Sequence, residues 1–232
     1  MKSSGTIFVL GFLAVAEALA QDANEFYNRG VLDTMNNRLE EAIANFDRAV
    51  ALNPKFADAY INRGMVWEEK NDAGRAVVDF THAIEIDSKD AGAYNCRGNA
   101  YVLQQRLDEA IRDFDVVIEL VRKGKEAAAA YNGRGAAKMC KKDFDGAISD
   151  FNKSIELKPD SASAYENRAS ARNEKGDSTG ARSDHERAKE LQTSEAASGP
   201  NSPEDTDGRS IPVHIKVVSP EEKETGDTPV SK

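Results

Sequence analysis

Tyr60-Ile61-Asn62-Arg63-Gly64 is one of five related strings whose spacing decides the fold. Its counterparts are Phe26-Tyr27-Asn28-Arg29-Gly30, Tyr94-Asn95-Cys96-Arg97-Gly98, Tyr131-Asn132-Gly133-Arg134-Gly135 and Tyr165-Glu166-Asn167-Arg168-Ala169. Their last residues are separated by 34, 34, 37 and 34 positions. Twelve residues after each comes an alanine: Ala42, Ala76, Ala110, Ala147 and Ala181. Four further on stand Phe46, Phe80, Phe114, Phe151 and then His185. Pro54 and Pro159 close two of the units, with Ser88 and Thr193 at the equivalent places. A fixed period of this length marks a supersecondary unit that cannot bury its apolar face alone and must stack on copies of itself.

A single unit reads as two helices. Over 57–70 the pattern predicts one helix, and Asn71-Asp72-Ala73-Gly74 a turn. A second helix is expected over 75–86, with Ala76, Val77, Phe80, Ala83 and Ile84 on one face. Those apolar positions recur at spacings of one, three and four, as an amphipathic helix requires. Gly64 and Ala76 carry little or no side chain, so the two antiparallel helices can approach closely. Tyr60 and Phe80 then fill the space beside the crossing.

These motifs resemble the tetratricopeptide repeat family. The resemblance covers 23–195, divided into units 23–56, 57–90, 91–127, 128–161 and 162–195. It implies an all-α fold: a right-handed α-solenoid of five helix-turn-helix units, ten helices in all. The third unit is three residues longer, and its extra residues fall within 121–126, where they are expected to lengthen an exposed turn. The fifth unit carries His185 in place of phenylalanine and a polar last helix around 182–187, so it reads as a cap that wets the end of the stack.

An arginine precedes the small residue in every unit, and sixteen residues later stands Asn45, Asp79, Asp113, Asp150 or Asp184. Arg63–Asp79, Arg97–Asp113, Arg134–Asp150 and Arg168–Asp184 can therefore pair between the two helices of a unit. Such pairs would fix helix register, because partly buried charges need partners. The other use of the arginines would be a ladder gripping acidic ligands. Aspartate at four of the five positions favours the structural pair.

Asparagines gather on the first helices: Asn28, Asn62, Asn95, Asn99, Asn132 and Asn167. The resemblance places first helices on the concave face of the superhelix. A carboxamide both donates and accepts, so a row of them can hold an extended peptide backbone whatever its sequence. This looks like the asparagine ladder of the O-linked N-acetylglucosamine transferase repeat domain. Asn28, Asn62 and Asn167 match its position two before the small residue, whereas Cys96 and Gly133 depart from it. The alternative is an ordinary solvated helix face. A clamp on a partner's terminal carboxylate lacks its lysines, since the required places hold Tyr27 or Ile61 and Gly92 or Ala129. Asp58, Glu68, Glu69, Glu166 and Glu174 on first helices could steer a basic partner.

The two ends differ from the repeats. Lys2, the apolar run over 7–16 and the small residues Ala18 and Ala20 have the form of a secretory signal peptide over 1–20. Its removal would leave no membrane span and a periplasmic or secreted protein. Residues 196–232 are rich in Ser, Pro, Gly, Asp and Glu, and a disordered acidic tail is expected there. The apolar island 211–218 reads either as part of that solvated tail or as a strand-adding motif.

The formal charge of -9 and a pI near 5.0 argue against general nucleic-acid binding, which needs clustered cations. No phosphate-binding glycine loop or zinc-ligand spacing occurs, and His82, His185 and His214 are the only histidines. Neither catalysis, a metal nor a cofactor is expected. Cys96 and Cys140 sit seven residues out of register on neighbouring first helices, about 10 Å of axial offset, too far for a disulfide. The function expected is a monomeric scaffold or adaptor that holds a peptide or protein. The competing expectation is a structural envelope protein assembled through stacked repeats.

Overall fold

The computed structural model describes residues 22–198. The expected signal peptide, the apolar island 211–218 and all of the expected tail beyond 198 lie outside the described residues. Ten helices run in order: α1 (22–35), α2 (Leu39–Leu52), α3 (Ala57–Glu69), α4 (Ala73–Ile86), α5 (Ala91–Leu103), α6 (Leu107–Val121), α7 (Lys125–Cys140), α8 (Phe144–Leu157), α9 (Ala162–Glu174) and α10 (Ser178–Ser198). The described residues contain no strand. Consecutive helices pair as hairpins, and hairpins stack into an all-α solenoid.

Each hairpin turns through one left-handed residue at the same place in its unit: Asn37, Asn71, Gln105, Lys142 and Gly176. That conformation suits Gly and Asn and strains Gln105 and Lys142, which lack either advantage. The second helix of unit two begins at Ala73, earlier than the sequence pattern predicts. The side chain of Asp72 accepts from the backbone N–H of Arg75 at 3.0 Å and so caps the helix two residues sooner. Asp143 and Asp177 cap α8 and α10 in the same way.

The three-residue insertion corrects one expectation. It lengthens helix rather than turn: α7 has 16 residues where α3, α5 and α9 have 13, and only 122–124 separate it from α6. Arg122 and Gly124 take positive φ to make that short link, and Ala127 in the added turn and Ala128 next to it are buried. At the other end, α10 continues to Ser198, three residues past the expected boundary.

Phe46, Phe80, Phe114 and Phe151 are wholly buried, each at the crossing of its own hairpin. A Cβ added to Gly64 would fall 2.6 Å from Cε1 of Phe80, and one added to Gly135 would fall 2.6 Å from Cε1 of Phe151. The glycines are thus required by close approach of ring and backbone. Phe114 reaches further, because a Cβ at Gly133 in the next unit would lie 2.5 Å from its Cζ. His185, at the corresponding place of the last unit, is exposed and points Nδ1 at Glu166 at 3.0 Å. Among the described residues no further helix packs beyond α10, so this place needs no apolar plug.

The odd-numbered helices touch in succession: α3 with α5, α5 with α7 and α7 with α9. The even-numbered helices make no such contacts with one another among the described residues. A stack whose inner rails touch while its outer rails splay is curved, so the odd helices form the concave face.

Candidate protein-binding site

The arginines of units two to five are the most regular feature of the inner hairpins. Arg63 donates Nε and Nη2 to Asp79 at 2.9 and 2.6 Å. Arg97 makes the same two-pronged contact with Asp113 at 2.8 Å on each side, Arg134 with Asp150 at 3.0 and 2.7 Å, and Arg168 with Asp184 at 2.9 and 2.6 Å. Two parallel N–H to oxygen bonds match the guanidinium fork to a carboxylate. Each cation also lies over the tyrosine three residues before it, at 5.2 to 5.5 Å from ring centres of Tyr60, Tyr94, Tyr131 and Tyr165. Burial works against the Arg63 cation, but its bonds and charge contact with Asp79, then Asp47, hold its proton more firmly than usual.

The third prong was not read from the sequence. Nη1 of each arginine crosses to the second helix of the preceding unit. It reaches Asp47 from Arg63 at 2.5 Å, Thr81 from Arg97 at 3.2 Å, Asp115 from Arg134 at 2.5 Å and Asn152 from Arg168 at 2.6 Å. Each arginine therefore ties three helices and two units together. The first unit differs: Arg29 pairs with Glu25 on its own helix, and Asn45 donates to Asp33 at 2.7 Å. Position 45 holds a carboxamide in place of the carboxylate, and its amide is spent on Asp33.

The asparagines do not form one uniform row. Asn62 is buried, and its Nδ2 donates to the Tyr27 hydroxyl of the preceding unit at 2.8 Å. Asn167 donates from the same place in unit five to Asn132 of unit four at 3.0 Å. These are links between units. Between units three and four the donor position is Gly133, where Phe114 leaves no room for a side chain. Asn95, the residue that would receive that bond, keeps its Oδ1 enclosed and without a partner among the described residues. Asn28 is half-buried with an unpartnered Oδ1, and Asn99 is exposed. Burial first, then the charge of Asp58, pushes the Tyr27 phenol up to about 12, against the bond from Asn62.

Glu68 on α3 is the one acid on this face with an enclosed oxygen and no partner among the described residues. Burial pushes its carboxyl up to about 7. Because the folded chain binds this proton more tightly than the unfolded chain, Glu68 takes stability away as pH rises from the ordinary carboxylate range towards 7. Burial, and then the charges of Glu68 and Asp90, push the Cys96 thiol well above its usual range. Asp58 and Glu166 are half-buried, whereas Glu69 and Glu174 are exposed. Cys96 is a buried free thiol and Cys140 an exposed one. A cavity of about 460 Å³ lies where α7, α8 and α9 meet, lined by Met139, Cys140, Lys142, Phe144, Ser170, Asn173 and Glu174. Among the described residues no three His, Cys, Asp or Glu side chains are placed to hold a metal, and no helix is long and apolar enough to cross a membrane.

Family profiles agree with the repeat seen in these contacts. A profile described as TPR repeat matches 34–70, and two described as Tetratricopeptide repeat match 57–90 and 138–196. The chain is built of tetratricopeptide repeats. These repeats superpose on the crystal structure of MamA with a TM-score of 0.63 at 21% identity, covering 72% of this chain and 96% of that one. Pseudomonas aeruginosa PilF gives 0.66 at 20% identity, covering 74% and 78%. YrrB, described as a TPR protein with an unusual peptide-binding site, gives 0.58 at 22% identity, covering 78% and 93%. At these identities the likeness of the repeats is one of fold. No curated protein matches the chain in sequence.

Proposed function

We propose that this tetratricopeptide-repeat chain is a non-catalytic scaffold that seats a peptide or protein segment on the concave face of its odd helices. The observation that carries the reading is the placement of its unsatisfied polar atoms. Among the described residues, the enclosed oxygens without partners belong to Asn28, Asn62, Glu68 and Asn95, all on α1, α3 or α5. Folded proteins seldom leave such atoms unpaired, so these three helices carry polar side chains that the fold itself does not fully satisfy, beside the surface a partner would meet. Exposed Asn99 and Leu103 on α5 extend the face with a carboxamide and an apolar contact. The apolar run and small-residue pair near the N-terminus support work outside the cytoplasm, in the periplasm or after secretion.

Asn95 and Asn99 are the residues to change, since the amide of Asn62 is already committed to Tyr27. Asn95→Ala with Asn99→Ala should abolish capture of a specific partner from the native extracellular or periplasmic fraction while circular dichroism stays helical. Undiminished capture by a folded double variant would remove this face from the function.

A further inference from the structure

The internal chain of unit-to-unit bonds breaks in the middle of the concave face. Tyr27 receives from Asn62 and Asn132 receives from Asn167. Between units two and three the equivalent positions hold Ile61 and Cys96, both buried and apolar. Between units three and four Gly133 offers no donor, which leaves Asn95 unpaired. Glu68 lies one and two helical turns beyond Met65 and Ile61, on the α3 face that packs against Ala93, Cys96 and Ala100 of α5. It stands close enough for its charge to act on Cys96, the neighbour of Asn95 in sequence. All the unpaired atoms at this break are acceptors, and one belongs to a carboxylate.

Elsewhere on the stack, the acids that link successive units do have cations. Glu40 is paired with Lys70, Asp108 with Lys141 and Asp145 with Lys175. Glu68 has none among the described residues, although it is more deeply set than any of these. A half-buried carboxylate without a counter-ion is costly, and an ammonium or guanidinium brought by a ligand would relieve the cost.

We infer that the α3–α5 stretch of the groove selects an extended segment of a partner protein that places a lysine or arginine against the open carboxylate oxygen of Glu68. This rests on the groove reading above and adds the chemistry of the occupant. The net charge of -9 favours approach of such a segment. Specificity would come from the half-buried carboxylate, which an uncharged side chain leaves unsatisfied.

The test uses the full chain and its Glu68→Gln variant against pools of octapeptides, each pool fixed at one position as lysine, arginine, norleucine, glutamine or glutamate. Glu68→Gln removes an unpaired acid and should fold, which circular dichroism checks. The inference predicts that lysine and arginine pools bind the parent about tenfold better than norleucine pools, and that Glu68→Gln brings them level. Binding without a preference for cations, or a preference that survives in Glu68→Gln, would overturn the inference and leave groove binding standing. Failure of every pool to bind would overturn the groove reading itself, and the inference with it.

Discussion

Phe114→Ala is expected to lower the free energy of unfolding by about 3–5 kcal/mol, read as a drop in the urea midpoint. The ring is fully buried and sits at two crossings at once. It lies against Gly98 of its own hairpin, where an added Cβ would stand 2.9 Å from Cε1, and against Gly133 of the next. Alanine would leave a cavity that neither neighbour can fill, because both are glycine. In a stack where each unit holds only its neighbours, that cavity also loosens the junction between units three and four. An unchanged midpoint would mean that the crossings are not held by the rings.

Asp113→Ala should cost a comparable amount, about 3–5 kcal/mol, because it strands a buried cation. The Arg97 side chain is 15% exposed and Asp113 is the sole carboxylate that it contacts among the described residues. Its third prong ends on the neutral hydroxyl of Thr81. Arg63 is different, since Asp47 would still face it after loss of Asp79. Asp79→Ala should therefore be the milder change, although both pairs have the same fork geometry. Thermal unfolding of the two variants side by side checks the order, and equal losses would show that the crossing to the preceding unit carries no weight.

The reach of the sequence differs between these features for physical reasons. Hairpins, their small-residue crossings and the arginine–aspartate forks all lie within one period, so the 34-residue repeat exposes them directly. The third prong of each arginine depends on how one unit sits on the last. Its signal was nevertheless present: Asp47, Thr81 and Asn152 stand sixteen residues before Arg63, Arg97 and Arg168, and Asp115 stands nineteen before Arg134, across the insertion. The insertion is expected as a turn within 121–126, whereas the added residues are helix over 125–127, because a helix and a turn of three added residues look alike until Ala127 finds a buried surface. The asparagines were placed on the correct helices by their period. Whether one is wet or spent depends on its neighbour across the unit boundary. Asn62 finds Tyr27, whereas Asn95 finds Gly133, and no periodicity distinguishes those two outcomes.

Photocrosslinking tests the concave-face claim most directly. A benzophenone side chain is placed at Asn99 on α5 or, in a second chain, at Val78 on α4, which is 55% exposed on an even helix. If partners seat on the odd helices, a partner crosslinks from position 99 and none from position 78. Crosslinking from 78 with none from 99 would contradict that seating.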